Sequence, residues 1–194
     1  NCVIPVYGSR NREKVEALLY CMDSNDYQPD KLYGPYDWIH FDQIPWYRKQ
    51  SARFTKENNG NPVPALAFFH IPLLEYNEIA GDGKTFGNNR EGEVASANIN
   101  SGMFASFIDM KDVMGVFAGH DHDNDYLGIN KGIVLGYGRV TGADAYGELT
   151  RGARIIELYE GKFRFDTWIT TPSGREATYY YPSGLNSEEE RTAD

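Results

Sequence analysis

Apolar and polar positions along this chain follow two rhythms. Val15 to Cys21, "VEALLYC", is a short apolar run closed by the turn-forming cluster "DSND", which predicts a buried strand and then a loop. From Asp42 the period becomes helical: Ile44, Tyr47 and Phe54 recur at helical offsets, Pro45 sits in the first turn where proline is tolerated, and "NNG" at 58–60 supplies a stop. Arg48, Lys49, Arg53 and Lys56 make the polar face of that helix. The run "ALAFF" after Pro64 predicts a second strand. The glycine-rich stretch behind it, "NEIAGDGKTFGNNREGE", has a length that compact domains usually reserve for functional or mobile loops. A helix from about Ser101 to Asp109, with Met103, Phe104, Phe107 and Ile108 on one face, leads into the strand "VMGVFA". The order β, α, β, α, β is that of parallel strands joined by crossover helices. Beyond it, "KGIVLGYGR", "GARIIELYEG" and "KFRFDTWITT" predict three strands with no helix between them, the last two joined by a tight turn at Glu160 to Lys162.

Composition limits what such a chain can do. Its 194 residues, 41% hydrophobic and 14% aromatic, suit one α/β domain with a real core. A formal charge of −9 argues against a non-specific grip on duplex nucleic acid, which needs clustered Lys and Arg to displace counterions. No apolar run has the length of a membrane span, and no signal-peptide pattern is present. Cys2 and Cys21 are too few for a disulfide scaffold and match no zinc-ribbon or CxxC spacing, so two buried or half-buried thiols are expected. The opening "NCVIPVYGS" reads as a mature form or a piece of something longer. The closing 185–194, which includes Glu188 to Glu190, reads as an acidic flexible tail after a domain spanning 1–184.

The chain owns four histidines, and three of them follow buried-looking strands. In open α/β sheets, ligands collect beyond the carboxyl ends of the strands, where loops converge. Those ends carry Asp23 to Asp26, then His70, then His120 and His122. Were residues 120–122 extended, both imidazoles would project to one side. Neutral imidazole suits Zn, Fe, Mn or Ni, so the three histidines are candidate metal ligands. A lone histidine after a strand is more often a hydrogen-bonded loop residue, and the case rests on the combination. His40, before the first helix, is expected to cap or pack. Arg139 follows a later strand and is the candidate to clamp a phosphate, with a solvated arginine the equal alternative; Glu75 and Tyr76 could border a pocket or belong to an ordinary loop.

"GHDH" after an apolar strand, with a histidine about fifty residues earlier in "FFHIPL", resembles the carboxyl-terminal half of the calcineurin-like metallophosphoesterases, in particular their purple-acid-phosphatase-related branch. The likeness runs from roughly Val15 to Thr170 and includes "LYCMDSND" and "DQIPWYRKQ". It implies part of a four-layer α/β/β/α sandwich, βαβαβ followed by antiparallel strands. It also implies a metal-dependent phosphoester hydrolase acting on a small phosphorylated substrate, in a periplasmic or secreted setting. His70 and His120 would ligate one metal and His122 the other, Gly119 would let the backbone turn closely around the pair, and Asp121, Asp123 and Asn124 would shape the turn or surround the ligands. The complete enzyme would hold two divalent or trivalent ions (Fe, Zn or Mn).

The family's DxH, GDxxD and GNH signatures are absent, and Gly81-Asp82, the only Gly-Asp pair, comes too late in the chain. With three protein ligands for two ions, the chain is expected to bind one metal or none and to be inactive alone, its other catalytic groups lying in an amino-terminal half. The alternative is a metal-free pseudo-phosphatase that binds or assembles. Loss of sheet neighbours would favour a homodimer or strand exchange through an exposed edge.

Overall fold

The computed structural model describes residues 1–80, 83 and 85–184. Gly81-Asp82 and the acidic tail lie outside the described residues. A six-stranded sheet runs in the order β1(Cys2–Tyr7), β2(Val15–Cys21), β3(Ala65–Phe68), β4(Val113–Ala118), β6(Ile133–Tyr137), β5(Leu127–Asn130). Strands β2, β3, β4 and β6 are mutually parallel, and the antiparallel strands β1 and β5 lie at the two edges. A second sheet of three antiparallel strands, β7(Ala153–Leu158), β8(Phe165–Thr171) and β9(Gly174–Tyr181), completes the strands.

Parallel strands bury both faces, so their side chains divide between two cores. Leu18, Tyr20, Ala65, Ala67, Val116 and Leu135 point to the face covered by α1(Gln43–Glu57) and α3(Met103–Met110). Leu66, Met114, Phe117 and Val134 point to the other, where Phe165 and Tyr179 of the second sheet meet them. The described residues thus stack as helices, sheet and sheet. In α1, Tyr47 and Phe54 are buried at helical spacing, and the chain leaves through Asn59 and Gly60, both at positive φ. The α3 face is narrower than its sequence predicts: Met103, Phe104 and Phe107 are buried, whereas Ile108 is 38% exposed. Ser106 takes the inward place instead.

Three elements escape the sequence pattern. Strand β1 carries Pro5 and leaves Ile4 and Val6 exposed, so it shows neither a clean alternation nor a buried run. The stretch read as one strand at "KGIVLGYGR" is the second arm of a hairpin, β5 turning into β6 through Lys131 and Gly132, both at positive φ. Strand β9 lies beyond the last run that the sequence pattern predicts as a strand. The short helix α2(Tyr76–Ala80) adds Tyr76, whose buried hydroxyl donates to the Val116 and Gly136 carbonyls, each at 3.0 Å. Tyr76 is therefore a core residue and no pocket border. Glu75 lies apart from the histidines too, its Oε1 accepting from Asn100 Nδ2 at 2.7 Å.

The helical layer is fastened by a buried carboxylate. Asp112, 1% exposed, accepts hydroxyl hydrogens from Tyr20 of β2 at 2.8 Å and from Tyr47 of α1 at 2.5 Å. Both phenols are held far above their ordinary pKa, first by burial and then by this neighbouring charge. Replacing Asp112 by alanine should leave two buried hydroxyls without an acceptor and destabilise the fold by about 1–3 kcal/mol for each. Urea unfolding of D112A measures this, and tyrosine-to-phenylalanine changes at 20 and 47 should recover much of the loss.

Candidate functional site

Strands β3 and β4 end level, with Phe68 opposite Phe117, and their next residues stay tied: the Gly119 amide donates to the His70 carbonyl at 3.0 Å. Gly119 fits where little else would. A Cβ there would come within 3.3 Å of His70 Nδ1, so the bare position lets the chain pass close to the imidazole. The following residue, His120, adopts φ +75°, a region that non-glycine residues rarely enter. That turn corrects the expectation of an extended 120–122 segment, and it sends the two histidines of "GHDH" in different directions.

His120 swings toward His70. Its Nδ1 lies 3.1 Å from His70 Nε2, with the ring planes crossed at 82°. Burial, reinforced by the nearby His70, lowers the His120 pKa below its usual value and so favours the neutral ring. Tyr36 meets the other side of the His120 ring edge-on at 4.5 Å. His122 is turned away, stacked on Tyr146 at 4.0 Å, with Nδ1 3.2 Å from the Tyr146 carbonyl. A backbone carbonyl on one ring nitrogen is a common way to orient the other toward a ligand.

The three imidazoles share one cleft of ≈ 370 Å³, walled also by Asn25, Asp26, Tyr27, Tyr36, Glu91 and Tyr146. These groups come from several loops, which hydrogen bonds tie together. The Ile71 amide donates to Ser24 Oγ at 2.8 Å, joining the segments after β2 and β3. Glu91 Oε1 accepts the Asp123 amide at 2.8 Å and the Tyr146 hydroxyl at 3.0 Å. Asp123 Oδ1 accepts the amides of Glu148 and Leu149 at 2.7 and 2.9 Å, which hold its carboxyl below the ordinary range. Asp121 accepts from Tyr137 at 2.6 Å, and burial raises its pKa. Asn124 Oδ1 accepts the Arg90 and Glu91 amides at 3.0 and 3.2 Å. The three polar residues of the "HDHDN" turn therefore hold loops in place. Sequence reasoning missed Tyr36, Glu91 and Tyr146, which come from irregular segments without periodicity.

The donor set can be tested against a metal pair. Two nitrogens 3.1 Å apart can both reach one ion at ordinary bond lengths of about 2.0–2.1 Å. Among the described residues, no group of three or more His, Cys, Asp or Glu is arranged to hold a metal. The residues present fit a partial donor pair with a third histidine to one side; they do not fit two ions.

Arg139 is placed elsewhere, contrary to the expectation that it clamps a phosphate in this cleft. Its side chain is 2% exposed and ion-paired through Nη2 with the fully buried Asp125 carboxylate. Its Nε donates to the same carboxylate at 2.9 Å, Nη1 donates to the Thr150 carbonyl at 2.7 Å, and Glu176 lies 3.2 Å from Nη2. Asp125 also receives the Asn88 amide at 2.6 Å, so the pair ties its own two segments to those of Asn88, Thr150 and Glu176. His40 does what its position predicts, with Nε2 3.0 Å from Asp37 Oδ1 and its amide donating to Gln43 Oε1.

The chain is similar in sequence to proteins named as phosphatases. No protein-family model matches the chain. It is 38% identical over 168 residues to "Probable inactive purple acid phosphatase 29" of Arabidopsis thaliana, covering 82% of this chain and 43% of the relative. "Probable inactive purple acid phosphatase 28" of the same plant is 40% identical over 173 residues, 87% of this chain and 43% of the relative. "Phosphatase DCR2" of Saccharomyces cerevisiae is 32% identical over 135 residues, 65% and 22% of the two chains. The chain spans less than half the length of these relatives.

Removing the Asp125 carboxylate should strand a buried guanidinium. We expect D125A to lose roughly 3–5 kcal/mol of stability, and the double change D125A/R139M to lose distinctly less. Denaturant unfolding of the two variants checks both values.

Proposed function

The chain is a purple-acid-phosphatase-related phosphoesterase region, and from that premise we propose that it forms the carboxyl-terminal part of a metal-dependent phosphoester hydrolase acting on a small phosphorylated substrate. The observation that carries this reading is the His70–His120 pair, delivered by two neighbouring parallel strands and facing one cleft at 3.1 Å. In a complete enzyme the pair would hold one ion and His122, stacked on Tyr146, would serve a second only with ligands from elsewhere. The remaining ligands and a fourth, helical layer come from another part of a longer protein. Metal ions in such a site supply charge for the phosphoryl oxygens and an activated water. This chain's residues do the holding: Gly119 and the strand pairing set the His70–His120 spacing, Tyr36 packs against His120, and Glu91 positions Tyr146 and the "HDHDN" turn. Arg139 takes no part in the proposed chemistry.

A second reading has support of its own. Relatives of this chain bear names that call them probable inactive, and its donors form no group of three among the described residues. On that reading the fold is a metal-free binding or assembly module in which the histidines have kept their places.

One experiment separates the two. In the full-length protein, metal content is measured by elemental mass spectrometry beside hydrolysis of a chromogenic phosphomonoester, with and without added Mn, Zn and Fe. A hydrolase should carry metal and turn over. H70A and H120A should each cut both activity and metal affinity by at least about 100-fold, since loss of a mere outer-shell partner already costs about 10–100-fold. Full-length protein with neither metal nor turnover overturns the hydrolase and supports the binding module.

A further inference from the structure

Outside the cleft, the two cysteines stand in a relation that sequence spacing does not reveal. Cys2 opens β1, Cys21 closes β2, and the antiparallel register sets them directly opposite each other. The Leu18 and Met22 amides donate to the Pro64 and Phe68 carbonyls on the far side of β2. By the alternation of a strand's backbone, the amides of Leu19 and Cys21 face β1, so Cys2 and Cys21 are a hydrogen-bonded pair. Such pairs hold their Cα atoms about 5.5 Å apart, inside the span of about 4.4–6.8 Å that a disulfide bridges. Opposite residues also send their side chains to the same face. Here that face is open: Cys2 is exposed, Cys21 is half-buried, and Ile4 and Val6, which share the Cys2 face, are 47% and 37% exposed. Burial, and then the adjacent Cys2 thiol, raises the Cys21 pKa above its ordinary value.

We propose that Cys2 and Cys21 are an oxidisable dithiol, a modification site separate from the histidine cleft that closes reversibly into a cross-strand disulfide at the expense of a small-molecule disulfide such as oxidised glutathione. Cys2, the more accessible sulfur, gives up its proton and attacks one glutathione sulfur, releasing one reduced glutathione and leaving a mixed disulfide on Cys2. Cys21 then loses its proton to solvent and attacks the Cys2 sulfur, and the second glutathione leaves as a thiolate that takes up a proton. Two protein thiols are oxidised and one glutathione disulfide is reduced to two thiols, so electrons and protons balance. The site has a line to the cleft. Asn1, next to Cys2, accepts through Oδ1 from the Asp23 amide at 2.9 Å and from Gln43 Nε2 at 3.0 Å. Oxidation would fix the anchor of the loop that carries Asn25 and Asp26 into the wall.

The test uses full-length protein equilibrated with mixtures of reduced and oxidised glutathione, trapped with N-ethylmaleimide, digested and read by mass spectrometry. The peptides bearing Cys2 and Cys21 should appear joined under oxidising mixtures, and separate and alkylated under reducing ones. The midpoint should be set by the glutathione ratio and independent of protein concentration. C21S should leave a persistent glutathione adduct on Cys2, and C2S should leave Cys21 largely unmodified. The oxidised wild type should melt at a higher temperature than the reduced form, a difference absent from both variants. Recovery of both cysteines alkylated under the most oxidising mixture overturns the proposal, as does Cys2 linked to a different cysteine or to a second chain.

Discussion

Everything at the cleft depends on the parallel pairing of β3 with β4. Because Phe68 lies opposite Phe117, the two strands finish level, and the Gly119 amide carries the pairing past the ladder to the His70 carbonyl. Two imidazoles then have to occupy nearly the same place. They can do so because position 119 has no side chain and because His120 accepts a left-handed backbone. A one-residue slip of either strand would send its side chains to the opposite faces and lose the pair.

The surroundings are built to hold that arrangement against its own strain. Fully or nearly buried polar pairs brace the loops: Asp121 ties its turn to Tyr137 of β6, and Asp125 ties the segment before β5 to Arg139 after β6. Such networks are costly to leave half-made, so they specify one arrangement of the loops. The histidines stand at the edge of this frame, where solvent or a ligand can reach them. Rigidity is thereby kept inside and the imidazoles are left accessible.

How much of this could be read from the sequence follows from how each part is buried. Strands β2, β3 and β4 are buried on both faces and show as apolar runs; α1 shows as a helical period with a proline entrance and an Asn-Gly exit. Strand β1, with Pro5 and its exposed Ile4 and Val6, gives no such signal, and Lys131-Gly132 conceals a hairpin turn within what reads as a single strand. That His70 and His120 would meet could be read because both follow neighbouring parallel strands, whose ends bring their loops together. The backbone of His120 could not be foreseen, since φ at a non-glycine residue is set by what surrounds it. Arg139 misleads for a related reason: its buried partner, Asp125, reads in sequence as one more residue of an acidic turn.

Pro5 carries one more consequence. In β1 the residues between those bonded to β2 turn their backbone groups outward, and Pro5 is one of them. It has no amide hydrogen to offer there. Any strand drawn up to this side of the sheet would meet a ladder with a rung missing. Growth of the sheet by simple strand addition is thus discouraged at β1, and a neighbour settling beside it would have to rely more on its side chains.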